Sequence, residues 1–198
     1  MAGLFLVLAA ACSSGPGTVG APSPTGPASG SSATTTSSIV PAPAGFHAVT
    51  VTVRSADGTT ATRCLLVADT APLQEQGLMG VTDAGLGGYD GMIFVFDADT
   101  TSAFWMKDTL IPLSIAFADG GGSVVSTADM VPCPADGGAC PLTRASGPYR
   151  YAVEAASGAL PALGLVDGAS LDPTFGPACQ RAGAPIGRAR HHVGGGHH

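Results

Sequence analysis

Charge is what this chain has least of. Asp, Glu, Lys and Arg together make 11% of its 198 residues, against about 25% in an average soluble protein. It holds a single lysine, Lys107, a single tryptophan, Trp105, and two glutamates, Glu75 and Glu154. The eight basic residues are scattered apart from Arg188 and Arg190, and the formal net charge is −6. No positive stripe is available to neutralise a run of phosphates, which argues against nucleic-acid binding. Long hydrophobic runs are missing too: the apolar segment 4–11 is far shorter than the roughly 20 residues that span a bilayer. Before the C-terminal tail the only histidine is His47, and no GxSxG elbow occurs, so a Ser-His-Asp triad has no evident base. Asp97 and Asp99 have the spacing of a calcium loop without its glycine and closing glutamate, and His191, His192, His197 and His198 lack cysteine or carboxylate partners at ligand spacing. We therefore expect no metal and no cofactor.

Glycine and proline are abundant instead, at 29 and 16 residues, and they punctuate the chain into segments. Residues 1–12, MAGLFLVLAAAC, read as a signal peptide whose apolar run ends in a lipobox, with Cys12 the lipidated residue and a membrane the partner it implies. Residues 13–45 are nearly all Ser, Thr, Gly, Pro and Ala, too polar and too small to offset the entropy of ordering, and are expected to form a flexible linker. From residue 46 the pattern alternates with period two, a turn at SADG separates two such runs, and further strand-like runs begin near 91, 103, 111, 123 and 150. Helical pattern is confined to residues 72–79 and 160–165. The expectation is a mainly β domain over 46–172, a compact antiparallel β-sandwich or barrel with one or two short helices, followed by a disordered tail over 173–198.

Four blocks carry a specific resemblance. GLM (77–79), GMIFVF (91–96), FWMKDT (104–109) and IPLSIAF (111–117) occur in an order and spacing that closely resemble the domain of unknown function 192 family. A looser likeness extends to YAVE and LGLVDGASL, over roughly residues 46–172. The resemblance implies a compact, mostly β domain, often exported or membrane-tethered, and no established reaction. It also marks departures. Relatives usually carry an arginine shortly after GLM and an aspartate where this chain has Ser114, which suggests an ion pair lost jointly here, since one buried charge left alone would cost about 3–5 kcal/mol. The usual asparagine after WMK is Asp108 here.

The candidate site is centred on Trp105, Met106, Lys107 and Asp108. If residues 104–118 formed one unbroken strand, Trp105 and Lys107 would share the core face with Ile111, Leu113 and Ile115. A buried ammonium needs a partner or a shifted pKa, and Glu154, after an apolar strand, is the candidate partner. Otherwise the stride breaks between Thr109 and Pro112, and Trp105 and Lys107 form an exposed pair with the lysine stem against the ring. Cys133 and Cys140 bracket the turn-forming PADGGA and are expected to be disulfide-bonded, while Cys64 and Cys179 either pair or stay free. The first functional reading is a lipid-anchored cell-envelope protein that binds a small anionic or carbonyl-bearing ligand, or an envelope partner, without catalysis. The alternatives are an envelope enzyme using Lys107 with Asp108 or Glu154 as acid or base, and a purely structural accessory domain.

Overall fold

A computed structural model describes residues 39–40, 43, 45–134 and 138–182, all within the unit Thr36–His198. The expected signal peptide with Cys12, most of the linker and residues 183–198 lie outside the described residues. In chain order the elements are β1 (Ile39–Val40), β2 (His47–Arg54), β3 (Thr60–Ala68), α1 (Ala71–Gln76), β4 (Gly91–Thr100), β5 (Phe104–Trp105) and β6 (Leu113–Ala118). They continue with β7 (Val124–Met130), β8 (Leu142–Thr143), β9 (Tyr149–Ala156), α2 (Leu160–Leu163), β10 (Ser170–Leu171) and β11 (Arg181–Ala182).

The domain is mainly β, as expected, with two short helices where the sequence placed them. A seven-stranded sheet runs in the order β10-β2-β3-β4-β9-β6-β7. Its ends curl toward each other: Val124 donates to the Ala169 carbonyl, Leu171 donates to the Gly122 carbonyl, and Ser123 bridges Ser170, so the half-barrel is stitched where β7 approaches β10. One pairing departs from the antiparallel expectation, because β3 and β4 run parallel. Antiparallel neighbours can share a tight turn, whereas a parallel pair needs a long crossover, and residues 69–90 with α1 supply it.

Alternation along the strands sorts the core onto two faces of this sheet. On β6, Leu113, Ile115 and Phe117 join one cluster with Leu66, Met92 and Phe94, while Ala116 and Ala118 join another with Val51, Val67 and Leu165. The β6 backbone alternates regularly, but β9 does not. Tyr149 and Tyr151 are two residues apart and yet face opposite clusters, because the ladder with β4 shifts register between Val95 and Thr100. That irregularity turns the Tyr149 ring toward the side where α1 and β5 lie.

Both cysteine pairs are bonded, Cys133 to Cys140 at 2.02 Å and Cys64 to Cys179 at 2.08 Å. The second bond bears on the tail expected from Pro173. Residues 176–179 run beside β2 instead of departing, and β11 pairs with β1: Gly176 donates to Thr50 O (2.8 Å), Thr50 to Pro177 O (3.0 Å) and Cys179 to Ala48 O (3.1 Å). Their low content of periodic apolar residues hid this, since backbone pairing, one disulfide and the single aromatic contact of Phe175 with Tyr151 hold the segment.

Candidate functional site

The stride of the WMK segment breaks earlier than Thr109. β5 contains only Phe104 and Trp105, paired with Thr143 and Leu142 of β8, and a tight turn follows. In that turn Thr109 N–H donates to Met106 O (3.1 Å), and Asp108 takes a left-handed φ of 53°. Asp and Asn are the non-glycine residues that tolerate this conformation best. The Asp108 position is therefore a backbone requirement, which either residue meets, and its carbonyl accepts from Gly80 N–H (2.8 Å).

The break divides the predicted site residues. Phe104 and Met106 point inward, and Met106, only 3% exposed, is a core residue without access to a ligand. Trp105 is 50% exposed, and the Lys107 Nζ lies 5.4 Å from the centre of its ring. The exposed-pair alternative is therefore the one the chain adopts. Ile111 and Leu113 resume the inward positions beyond the turn.

Glu154 stands elsewhere. In the ladder it is flanked by Met92 of β4 and Ile115 of β6, so β9 aims it into an apolar cluster, and it is 5% exposed. β4 comes so close that a Cβ on Gly91 would lie 2.4 Å from the Glu154 carbonyl oxygen. Among the described residues its carboxyl has no hydrogen-bond or ion-pair partner, and the one ion pair is Arg150 with Asp99 at 2.9 Å. Burial pushes its pKa up to about 8. The expected Lys107–Glu154 partnership is not formed: the two residues line different hollows that share Glu75, Gln76, Met79 and Trp105. A cation at a surface turn reaches outward along its flexible stem, where water solvates it at no desolvation cost.

Three hollows meet around Trp105 and α1. The main groove, about 300 Å³, is walled by Phe94, Phe96, Phe104, Trp105 and Tyr149, with α1 forming one bank. Its rings pack edge to face, Phe94 on Phe104 at 5.0 Å and Phe96 on Tyr149 at 5.6 Å, which fixes the walls. The Tyr149 hydroxyl donates to Ser102 O (2.8 Å), and burial pushes its pKa up to about 12, so it stays a neutral donor. On the opposite bank Gln74 Nε2 donates to Val95 O (2.7 Å), tying the exposed helix α1 to β4. Behind Trp105 a smaller cavity of about 40 Å³ shares Gln74, Glu75, Phe94 and Phe104 with the groove and reaches Glu154. The third hollow, about 530 Å³, lies along Glu75, Met79 and Lys107.

Sequence reasoning named Trp105, Lys107 and Glu154 but missed Phe94, Phe96, Tyr149 and α1. The two phenylalanines read as ordinary core positions of a strand, and Tyr149 enters the groove only through the β4–β9 irregularity. The ion pair inferred for relatives is also corrected. Ser114 lines a cavity with Leu160 and Leu165 on one face of the sheet, whereas Leu78 and Val81 pack in the cluster on the other. A strand side chain at 114 faces away from its neighbours 113 and 115, so no charge there would reach the segment after GLM.

Comparison with protein families matches residues 51–173 to the family described as DUF192, Uncharacterized ACR. Two solved structures share the fold. A protein of unknown function from Novosphingobium aromaticivorans DSM 12444 is 29% identical, with a TM-score of 0.57 over 68% of this chain and 92% of the other. A candidate transcription regulator from Sinorhizobium meliloti 1021 is 25% identical, with a TM-score of 0.56 over 64% of this chain and 94% of the other. No curated protein matches the chain.

Proposed function

The chain belongs to the domain of unknown function 192 family, and we propose that this member is an exported module, tethered by a lipid on Cys12, that binds a small ligand in the Trp105 groove without catalysis. The observation that carries the reading is the groove itself: five aromatic walls that lead to a buried carboxyl with no partner. Ligand sites are commonly apolar concavities with a few convergent polar groups, and a volume of about 300 Å³ is at the small end of their range. The enzyme alternative called for Lys107 beside a carboxylate acid or base. Glu154 opens to a different hollow and Asp108 occupies its position for the turn, which favours binding over acid–base chemistry. A gene-regulatory role like that in the description of the Sinorhizobium protein is not adopted, because the chain has no positive stripe.

Export is supported by the apolar run that ends in Cys12 and by two disulfides, which persist in oxidising compartments. If the tether is right, Cys12→Ser moves the expressed protein from the membrane fraction to the soluble one. The groove is tested with Trp105, the only tryptophan, as the reporter. We expect a saturable fluorescence change with at least one of phenethylamine, phenylacetamide and phenylacetate, weakened by Ala103→Leu, which adds bulk to the groove. Failure of all three compounds to give a saturable response would overturn the binding reading.

A further inference from the structure

We propose that the ligand carries an ammonium group, which enters the small cavity behind Trp105 and pairs with Glu154 while its apolar part fills the aromatic groove. The inference rests on the binding reading above and specifies the chemical class of the ligand.

The polar inventory of the two cavities decides the class. Two carboxyls, Glu75 and Glu154, line the inner cavity and no basic residue lines it or the groove. An anionic head would meet the Glu75 carboxylate and find no cation in the inner cavity or the groove, and it could not form an ion pair with Glu154 in either of that group's protonation states. A neutral amide could hydrogen-bond to the Glu154 carboxyl, but it would make no use of the ring faces, whose negative potential attracts cations. Trp105 already shows this property toward Lys107, whose Nζ lies 5.4 Å from the ring centre. The inner cavity, about 40 Å³, has room for a small head group, since roughly 10–15 Å³ of such space already admits one water. Most decisive is the side chain aimed into it. Glu154 is 95% buried, flanked by Met92 and Ile115, and without a partner among the described residues. Folding has desolvated a carboxyl and supplied nothing to pair with it, and an entering ammonium supplies what is missing.

The proton balance follows. Burial keeps the empty site's Glu154 protonated at neutral pH. Binding of R–NH3⁺ breaks the O–H bond of the carboxyl, leaves a carboxylate–ammonium pair in the cavity, and releases one proton to solvent. Other titratable groups surround it at one remove: Glu75 on α1 shares the cavity, Lys107 and Asp108 sit in the turn outside Trp105, and Tyr149 lies further along β9. β4 and β6 place only apolar side chains on that side, Met92, Phe94 and Phe96 from β4 and Leu113, Ile115 and Phe117 from β6.

The test compares phenethylamine with its neutral and anionic counterparts, phenylacetamide and phenylacetate, on the folded wild-type domain. Phenethylamine is expected to bind at least tenfold more tightly than either. Its affinity should rise about 50-fold between pH 6 and pH 8, as the ionised fraction of a carboxyl titrating near pH 8 increases. Titration calorimetry at pH 7 in phosphate and in Tris should give apparent enthalpies that differ by close to one proton's worth of buffer ionisation. Glu154→Gln should weaken phenethylamine at least tenfold, remove its pH dependence and leave phenylacetamide unaffected. The proposal is overturned if phenylacetamide or phenylacetate binds as tightly as the amine, or if amine affinity is the same at pH 6 and pH 8. In either case the groove still binds a ligand, so the wider reading survives; absence of binding by all three compounds removes both. The pH and calorimetric readouts use the unmodified protein and stand even if the Gln variant does not fold.

Discussion

The two faces of the seven-stranded sheet are built from the same strands and differ in how each treats its buried polar side chain, Ser114 on one and Glu154 on the other. On the face covered by α2, Ser114 Oγ donates to Asp129 (2.5 Å) and accepts from Gly158 N–H (2.8 Å), and Arg63 donates to the Leu163 and Ala162 carbonyls at 3.1 and 2.8 Å. The Gly158 and Arg63 contacts close the C-terminal part of the fold onto the sheet, and the Asp129 contact joins β6 to β7. On the face covered by α1, Glu154 is buried with no partner among the described residues. Cavity volume does not separate the two, since the hollow beside Ser114, about 440 Å³, is larger than the aromatic groove at about 300 Å³. What separates them is unspent hydrogen-bonding capacity. Polar side chains that satisfy one another hold a fold together, whereas a desolvated group left open is a stability cost that a ligand can remove.

The largest effect expected from this contrast is on stability against pH. The Glu154 carboxyl titrates near 8 when folded, against an ordinary value of 4.5. Its folded pKa is raised, so between those values the native state holds a proton that the unfolded chain has given up. Stability therefore falls as pH climbs through that window, by up to about 5 kcal/mol, and is unaffected by this group below 4.5, where both states are protonated. Glu154→Gln cannot ionise and should lose this slope. Urea unfolding of both proteins at pH 5 and pH 8.5 measures the difference directly. Equal slopes in the two proteins would mean that Glu154 is paired or hydrated in the native state, and the contrast between the faces would collapse.

A smaller effect is expected on the opposite face. Ser114→Ala removes a hydroxyl that serves Asp129 and Gly158 at once, leaving a part-buried N–H without its acceptor, and should cost about 1–3 kcal/mol. Nothing in that change touches the aromatic groove, so phenethylamine affinity and the pH slope from Glu154 should stay as in the wild type. Denaturant midpoints and the fluorescence titration check the two halves of the expectation. Altered amine binding in Ser114→Ala would show that the faces are coupled through β6 rather than independent.

The sequence disclosed the strands more fully than the site, for a physical reason. Period-two alternation in HAVTVTVR and the turn at SADG specify a hairpin by local pattern alone, and β2 and β3 pair throughout their length. Position in the groove is a non-local property. Phe94 and Phe96 would look the same in sequence with any element packed above them, and Tyr149 owes its direction to a register shift against a strand some 50 residues earlier. Trp105 and Glu154 were legible by rarity, as a single tryptophan and one of two glutamates, but rarity could not say that they line one cavity while Lys107 lines another. The parallel β3–β4 pair was hidden in the same way, because the crossover containing α1 reads as a helix and loops without stating which strand direction they restore.

The smallest expected effect belongs to the single lysine. Lys107 is exposed, makes its described contact with the Trp105 ring and lies in a turn whose backbone does not depend on it. Lys107→Met should therefore change unfolding free energy by less than about 1 kcal/mol, the range of an exposed cation–aromatic contact. Its effect on ligands discriminates between the two cavities. If an amine pairs with Glu154, loss of the like charge at Lys107 beside the Trp105 ring raises phenethylamine affinity slightly, by no more than about threefold given screening at the surface. If Lys107 instead anchors an anion, phenylacetate binding falls tenfold or more in the same variant while the amine is unaffected. A fluorescence titration of one variant with two ligands thus assigns the polar end of the groove to Glu154 or to Lys107, and a phenylacetate loss would move the recognition site to the outer hollow beside Glu75 and Met79.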